Sequence, residues 1–265
     1  MSGQLAVVTG ASSGIGAATA EALGARGWTV VLVARRQAPL DALAIRIAAV
    51  GADPVVAALD AADPDTVAAM ADGIRAEHGV PDVIVNAAGV GGWRWPEDTT
   101  PAEMENSLDA PFRAAFHVTQ AFLGDMIARG SGRIVHVGSP AAIQPWPGAT
   151  AYTISRWALR GYHEALRQDL AGTGVTTSHV AFTEVTTPYF DTNPGARERR
   201  PWLGRLARTL TPAETAEVIL RTIDRPRPQV LHPAMLRVLV VVHRMAPGVA
   251  TWFVRITGAK RAVGS

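Results

Sequence analysis

Short apolar runs alternate with longer amphipathic segments along most of the chain. The runs are rich in valine, isoleucine, leucine and alanine, and most are followed by a stretch whose apolar positions recur at helical spacing. The strand-like runs read LAVVT, WTVVLVA, PVVAAL, DVIVNA, RIVHVG and VTTSHVA. Strands this apolar belong in a parallel sheet covered on both faces. The pattern therefore predicts an α/β, doubly wound parallel sheet in a single domain over residues 1–265.

The helical segments are predicted at about 14–26, 39–50, 63–78, 102–128 and 150–171. Several begin with a cap followed by a first-turn proline, as helix starts prefer. Asp63-Pro64, Thr100-Pro101 and Thr211-Pro212 are the clearest cases.

Two segments depart from the alternation. Residues 183–210 have no clear period, and a long irregular segment in a compact domain is usually a lid or disordered. Residues 233–258 read as a short strand end and one or two apolar helices broken at Pro247-Gly248. Core packing or a subunit contact is the favoured interpretation of this C-terminal segment, and a lipid-facing or substrate-roofing surface stays open. Its apolar run Val238–Val242 is far shorter than the roughly 20 residues that span a bilayer.

Composition narrows the function classes. The chain has no cysteine, which excludes disulfides and thiolate chemistry, and its formal net charge is only +2. Without a basic block, nucleic acid is a poor candidate partner. The start MSGQLAVVTG shows no signal-peptide pattern, so a cytoplasmic location is expected. Of 25 basic residues, 24 are arginine and one is Lys260.

A glycine-rich loop, TGASSGIG, joins the first strand to the first helix. Glycines at this junction let the backbone approach a pyrophosphate, whose charge is met by free N–H groups and the helix dipole. The loop predicts a dinucleotide site formed by Gly10, Ser12, Ser13, Gly14, Ile15 and Gly16.

The tip of the second strand favours NADP over NAD. Where an acidic side chain would accept hydrogen bonds from a ribose 2′-hydroxyl, the chain has Ala34, Arg35 and Arg36, whose guanidinium groups suit a 2′-phosphate. The alternative is two solvated arginines in an arginine-rich chain. Asp60, after the third strand, is a candidate contact for the adenine amino group.

The chain resembles the short-chain dehydrogenase/reductase family. The resemblance is carried by TGASSGIG, by NAAG at residues 86–89, and by Ser139 thirteen residues before Tyr152. It covers essentially the whole chain. It implies a seven-stranded parallel sheet in the order 3-2-1-4-5-6-7, NADP(H) across the carboxyl ends of the strands, and a homodimer or homotetramer.

The resemblance also implies roles for individual residues. Tyr152 matches the general acid/base for hydride transfer between a carbonyl or carbinol carbon and nicotinamide, and Ser139 matches the hydrogen-bond partner of the substrate oxygen. Thr187 matches the threonine beside the nicotinamide carboxamide. The remaining implied cofactor positions are Asn86, Ala87, Gly89, Val185 and, from the active-site helix, Tyr152 and Arg156.

Three positions depart from the family pattern. The usual lysine four residues after the tyrosine is Arg156, the usual catalytic asparagine is Pro111, and the usual proline-glycine after the sixth strand is Phe182-Thr183. A nearby guanidinium can stabilise a phenolate as an ammonium does, but it practically never gives up its proton. Proline can still interrupt a helix, although the asparagine water site would be lost.

These departures have two interpretations. Arg156 is either a simple cation exchange that leaves reductase chemistry intact, or part of a serine, tyrosine and arginine set such as the similar halohydrin dehalogenases use. Those relatives lack an intact nucleotide loop, and this chain has one.

The expected substrate pocket is apolar. Seven residues in three site-lining loops are its candidates, although a single tryptophan is more often plain packing: Trp93, Trp95, Ile143, Trp146, Tyr189, Phe190 and Trp202. His136, His163 and His179 show no ligand spacing, and no metal is expected.

Three functions follow, in order of preference. The first is an NADP-dependent reductase or dehydrogenase acting on an apolar ketone, aldehyde or alcohol. The second is a non-redox enzyme using Ser139, Tyr152 and Arg156 for acid/base work. The third is a redox-silent NADP-binding regulator.

Overall fold

The computed structural model describes residues 4–193, 195–202 and 208–261. Its strands are β1 (Leu5–Thr9), β2 (Thr29–Ala34), β3 (Pro54–Ala58), β4 (Val83–Asn86), β5 (Gly132–Val137), β6 (Val175–Phe182) and β7 (Gln229–His232). They form one seven-stranded parallel sheet in the order β3-β2-β1-β4-β5-β6-β7. The predicted fold class and the implied strand order are both confirmed.

The helices lie on both faces of this sheet. They are α1 (Gly14–Gly24), α2 (Gln37–Ala48), α3 (Pro64–Glu77), α4 (Pro101–Leu108), α5 (Ala114–Arg129), α6 (Thr150–Asp169), α7 (Tyr189–Thr192), α8 (Pro212–Asp224), α9 (Met235–Met245) and α10 (Pro247–Thr257). Helix α2 begins earlier than predicted because first-turn N–H groups have no partner within the helix, so Pro39 is tolerated inside that turn.

The helix predicted over 102–128 is interrupted between α4 and α5. Residues Asp109–Arg113 form one π-helical turn, in which the N–H of Ala114 donates to the carbonyl of Asp109, five residues earlier. Pro111 lies in this turn and has no N–H to donate. The interruption expected at Pro111 is therefore present.

The five inner strands bury both of their faces, as the sequence pattern predicts, whereas the edge strands β3 and β7 are only partly buried. Val8 and Leu32 pack in one core cluster with residues of α1, α2 and α8. Val7, Ile84 and Phe122 pack in a second cluster with residues of α3 and α5. Burial on both faces removes the need for alternation in the strands.

The segment 183–210 begins and ends in a backbone pairing. The N–H of Thr186 donates to the carbonyl of Leu210 at 2.8 Å, and the N–H of Leu210 donates to the carbonyl of Glu184 at 2.8 Å. Val185 and Leu210 form a parallel bridge, and Arg200 makes an ion pair with Glu184. This lid segment is thus closed at its base.

The C-terminal segment folds as two helices, α9 and α10, which meet at Ala246 and pack against each other. The break falls directly before Pro247, at the predicted place. Among the helices in the described part of the chain, none is long and apolar enough to cross a bilayer.

Candidate active site

A large cavity opens at the carboxyl ends of the strands. It has a volume of about 1400 Å³, more than the roughly 300–1,000 Å³ typical of a pocket for one small ligand. The glycine loop and the tip of β2 line one part of it, and Ser139, Tyr152 and Arg156 line another. The space is sufficient for a dinucleotide together with a substrate.

The glycine loop has the geometry of a phosphate cradle. Gly10 and Gly14 have φ angles of +69° and +57°, which L side chains rarely adopt. A Cβ at Gly10 would lie 2.8 Å from the Ala87 backbone, and one at Gly16 would lie 2.4 Å from the Gly10 carbonyl oxygen. Ser13 caps α1 without a side-chain hydrogen bond, so the first N–H groups of the helix are not capped by that side chain. These residues fit a dinucleotide pyrophosphate.

Cations lie at the tip of β2. Arg35 and Arg36 are exposed and line the cavity, and the guanidinium of Arg36 donates to Ser12 Oγ at 3.2 Å. Asp60 lines the same part of the cavity and accepts from the N–H of Ala62 at 3.0 Å. The guanidinium groups of Arg35 and Arg36 and the Asp60 carboxylate therefore line the same cavity, as the sequence predicted.

Ser139 is held by a short 3₁₀ turn after β5. Its Oγ accepts from the N–H of Ala141 at 3.2 Å, which leaves the hydroxyl hydrogen available for another acceptor. Two side chains of α6 brace this turn: Trp157 Nε1 donates to the Ala141 carbonyl and Arg160 donates to the Ala142 carbonyl. The serine is thus fixed relative to α6.

Tyr152 and Arg156 lie on the buried face of α6, four residues apart. This face recurs at helical spacing through Ser155, Leu159 and His163. The guanidinium carbon of Arg156 lies 4.9 Å from the centroid of the Tyr152 ring. Both residues are over nine-tenths buried and both line the cavity.

Arg156 is a buried cation without a carboxylate partner among the described residues. No ion pair in that part of the chain includes it, and its Nε has no hydrogen-bond acceptor. Gly89 makes room for it, since a Cβ there would lie 2.6 Å from an Arg156 terminal nitrogen. A buried unpaired charge is costly, so this guanidinium is poised for oxygen atoms supplied by a ligand or by an ionised Tyr152.

Aromatic rings surround Tyr152. The ring centroid of Trp93 lies 5.3 Å from those of both Trp146 and Tyr152, and the Tyr189 centroid lies 6.1 Å from that of Tyr152. Phe190 packs edge-on against Tyr189. Together with Ile143 they line the cavity and form the apolar pocket proposed from the sequence.

Hydrogen bonds fasten the lid segment over Trp93. Asn193 Oδ1 accepts from the N–H of Gly91 at 2.7 Å, and its Nδ2 donates to the Tyr189 carbonyl at 2.6 Å. Arg199 donates to the Trp93 carbonyl at 2.7 Å. Sequence reasoning missed Asn193 and Arg199. An asparagine three residues after the aromatic pair Tyr189-Phe190, just beyond a short helical segment, is the signal that could have indicated a latch.

Four predicted site residues do not line the cavity. Gly16 packs beneath the loop, and Asn86 turns inward, where its Nδ2 donates to Thr119 Oγ1 at 3.1 Å. Trp95 lies against the Arg261 guanidinium, 4.9 Å from its carbon, and Trp202 is 52% exposed. The other predicted positions all line it.

The C-terminal helices complete the cavity. Leu236, Leu239, Val240 and His243 of α9 line it, and so does Phe253 of α10. The sequence left open whether this segment roofs a substrate, because periodicity alone does not say what a helix face packs against.

Burial shifts the pKa values of titratable groups around the site. It raises the pKa of the Tyr189 hydroxyl, which stays a donor to the Gly91 carbonyl at 3.2 Å. Burial also lowers the pKa of His163 to about 4 and that of His179 to about 3, and holds the pKa of His136 well below its usual value. These histidines are neutral and structural. No cluster of possible metal ligands occurs in the described ranges.

Comparisons with known proteins give the family. Residues 4–197 match the short chain dehydrogenase family model. A short chain dehydrogenase of Pseudocercospora fijiensis is 34% identical over 201 residues, which cover 75% of this chain and 61% of the fungal protein. The chain spans from about a fifth to three fifths of the length of the first curated relatives it matches.

Two solved structures agree with this assignment. A metagenomic short-chain oxidoreductase in complex with NADP has a TM-score of 0.74 and 34% identity, covering 87% of this chain and 96% of its own. A short chain dehydrogenase/reductase from Burkholderia phymatum in complex with NAD has a TM-score of 0.83 at 24% identity, covering 98% of each chain, and shows the fold alone. With its glycine loop, parallel sheet and family match, this chain belongs to the short-chain dehydrogenase/reductase family of oxidoreductases.

Proposed function

We propose that this protein is an NADP-dependent oxidoreductase that reduces an apolar ketone or aldehyde, or oxidises the corresponding alcohol. The observation that carries the proposal is the juxtaposition of Tyr152, Arg156 and Ser139 in one cavity with the glycine loop. Such a reaction needs a general acid/base, a cation beside it, a hydrogen-bond donor for the substrate oxygen and a site for the cofactor, and these four features supply them in that order.

The preference for NADP is supported by the tip of β2. Arg35 and Arg36 can form charge-assisted hydrogen bonds to a 2′-phosphate, and β2 ends in Ala34 rather than in a carboxylate that would repel one. The relative of known structure at 34% identity is in complex with NADP.

The proton chemistry can be assigned to side chains of this chain. When bound, NADPH supplies a hydride to the carbonyl carbon. Tyr152 gives its phenolic proton to the carbonyl oxygen, and the Ser139 hydroxyl donates a hydrogen bond to the same oxygen. Arg156 stabilises the phenolate that remains. In the alcohol direction, that phenolate accepts the hydroxyl proton.

Arg156 stabilises charge and does not relay protons. A guanidinium keeps its proton at any working pH, so Tyr152 must be reprotonated by water admitted to the cavity. The π-helical turn at Pro111 retains the helix interruption without a side-chain amide to hold that water. A slower proton resupply than in relatives with lysine and asparagine follows.

The substrate is expected to be apolar and of some size. Trp93, Trp146 and Phe190 line one wall of the cavity, and Leu239 and Phe253 of the terminal helices line another. A carbonyl group near Tyr152 would be the main polar feature needing a partner.

A second function is favoured by one observation, the unpaired buried guanidinium of Arg156. Such a cation could hold Tyr152 as a phenolate base for acid/base chemistry without hydride transfer, with NADP bound as a structural group. The intact glycine loop is the reason for ranking this function second.

The test follows NADPH absorbance with purified protein and a panel of apolar ketones and aldehydes. Wild type should consume NADPH, Tyr152→Phe should lose at least about a hundredfold in rate, and Ser139→Ala should also be impaired. The matched control is Tyr162→Phe, on the same helix but outside the cavity. Binding of NADPH without consumption by any carbonyl would contradict the proposal. Halide release from halohydrins by the same protein would then support the second function.

A further inference from the structure

The two terminal helices expose apolar side chains away from the cavity. On α9 the exposed positions Val238, Val241 and Met245 recur at helical spacing, and Met245 is 82% exposed. On α10 the exposed apolar positions away from the cavity are Trp252 and Ile256, one turn apart, whereas Val249 is exposed but also lines the cavity. Exposed apolar residues normally occur singly, so two adjacent helices with such stripes indicate a surface that another phase or molecule covers.

Cations accompany this apolar surface, and acids are absent from it. After Asp224 the sequence has seven basic residues and no acidic residue, whereas residues 1–224 have 18 basic and 23 acidic residues. Arg244 and Arg255 are exposed, lie on α9 and α10, and take part in no ion pair of the described residues. Lys260 lies three residues beyond the end of α10. The net positive charge of the molecule is thus concentrated on the segment after Asp224.

Apolar stripes beside unpaired cations are the features of helices that lie in a membrane interface. The apolar side chains enter the boundary between headgroups and acyl chains, and arginine and lysine meet anionic headgroups. A second copy of the chain fits less well, because it would bring two strongly cationic segments together. The exposed Trp252 suits the interface, where an indole has both apolar and polar surroundings.

The opposite face of the same helices lines the active-site cavity. Leu236, Val240 and Phe253 contact that space, while their neighbours at Val241 and Trp252 face outward. An apolar molecule dissolved in a bilayer would therefore meet these helices before it met Tyr152.

We propose that α9 and α10 form a docking surface for an anionic phospholipid bilayer, on which the protein lies without spanning it. The docking is independent of the proposed function, since it needs no turnover. If both hold, the bilayer is the source of the apolar carbonyl substrate.

Co-sedimentation of the full chain with lipid vesicles tests the proposal. Binding should be strong to vesicles of phosphatidylcholine mixed with phosphatidylglycerol, weak to phosphatidylcholine alone, and reduced by added salt. Arg244→Gln with Arg255→Gln should weaken binding about twenty-fivefold, from roughly fivefold per cation at an anionic surface. Trp252→Ser with Met245→Ser should weaken binding to a similar degree.

Matched controls lie elsewhere on the surface. Trp202→Ser removes a tryptophan of similar exposure, 52% against 59% for Trp252, and Arg167→Gln removes an exposed cation of α6. Neither should alter vesicle binding. Circular dichroism and NADPH binding confirm that each variant is folded. If a terminal-helix variant fails to fold, the comparison of wild type on the two vesicle types still decides.

Two results would overturn the proposal. One is equal or absent binding of wild type to anionic and neutral vesicles. The other is a wild-type oligomer, measured by sedimentation without lipid, that Trp252→Ser with Met245→Ser dissociates, because a second copy would then cover this surface.

Discussion

The guanidinium carbon of Arg156 lies 4.9 Å from the centre of the Tyr152 ring, one helical turn away and buried with it. At this separation a cation acts on the phenol mainly through charge, without needing a particular proton position. The two side chains therefore function as one unit in the proposed chemistry.

Two substitutions of Arg156 distinguish the contribution of its positive charge to activity from that of its shape. Arg156→Lys keeps the cation, and we expect it to retain activity within about tenfold of wild type. Arg156→Met removes the cation, and we expect kcat to fall by about a hundredfold or more because the phenolate loses its counter-charge. Steady-state rates of NADPH consumption are the measurement. A methionine variant that is folded, binds NADPH and turns over like wild type would remove Arg156 from the mechanism.

The cations at the tip of β2 should determine cofactor choice. We expect Arg35→Ala with Arg36→Ala to raise the Kd for NADPH by about ten- to a hundredfold, because two charge-assisted contacts to the 2′-phosphate are lost, and to leave binding of NADH nearly unchanged. Fluorescence titration with both nucleotides measures this. Arg46→Ala is the control, since Arg46 is an exposed arginine of α2 paired with Glu21. An equal loss of affinity for both nucleotides would show that these residues do not recognise the 2′-phosphate.

The latch at Asn193 should hold the lid segment closed. Asn193→Ala removes the hydrogen bonds to Gly91 and Tyr189, and we expect trypsin to cleave at the lid arginines about ten times faster, from loss of roughly 1.4 kcal/mol of closure. Asp191→Asn, which removes an exposed ion pair with Arg197 in the same segment but neither hydrogen bond of the latch, is the control. Unchanged cleavage of Asn193→Ala would mean that the aromatic packing alone closes this segment.

Three buried histidines should make the fold sensitive to acid. Their pKa values are lowered in the folded state, to about 4 for His163 and about 3 for His179, while the unfolded chain takes up protons near pH 6.5. Stability is therefore complete above about pH 6.5 and falls as the pH drops from there toward 4, by about 1.4 kcal/mol per pH unit for each proton taken up only on unfolding.

Urea unfolding at several pH values measures this slope. We expect His163→Gln to reduce this slope by about one proton. His163 Nδ1 also forms a hydrogen bond with Thr177 Oγ1 at 3.0 Å. Because His163→Gln loses this hydrogen bond, its absolute stability falls, and the pH slope of the unfolding free energy is the informative quantity. A slope unchanged in His163→Gln would contradict the assignment.

Much of this protein could be predicted from local pattern. Strands buried on both faces and capped helices are encoded by neighbouring residues, so the fold class followed from local pattern, whereas the strand order was implied by the family resemblance. The directions of single side chains could not be predicted in this way. Trp95 lies against Arg261 and Trp202 is exposed to solvent, so both lie outside the cavity, and neighbouring residues in the sequence do not determine either placement. Contacts such as that of Asn193 with Gly91 join residues a hundred positions apart, and no local periodicity reports them.

The pairing of Val185 with Leu210 has a consequence for how this fold can change. Backbone hydrogen bonds already join the two ends of the segment between them, so the entropy cost of closing this segment grows only slowly with its length. Residues of this segment can therefore be inserted, deleted or replaced while the strands beneath it keep their register.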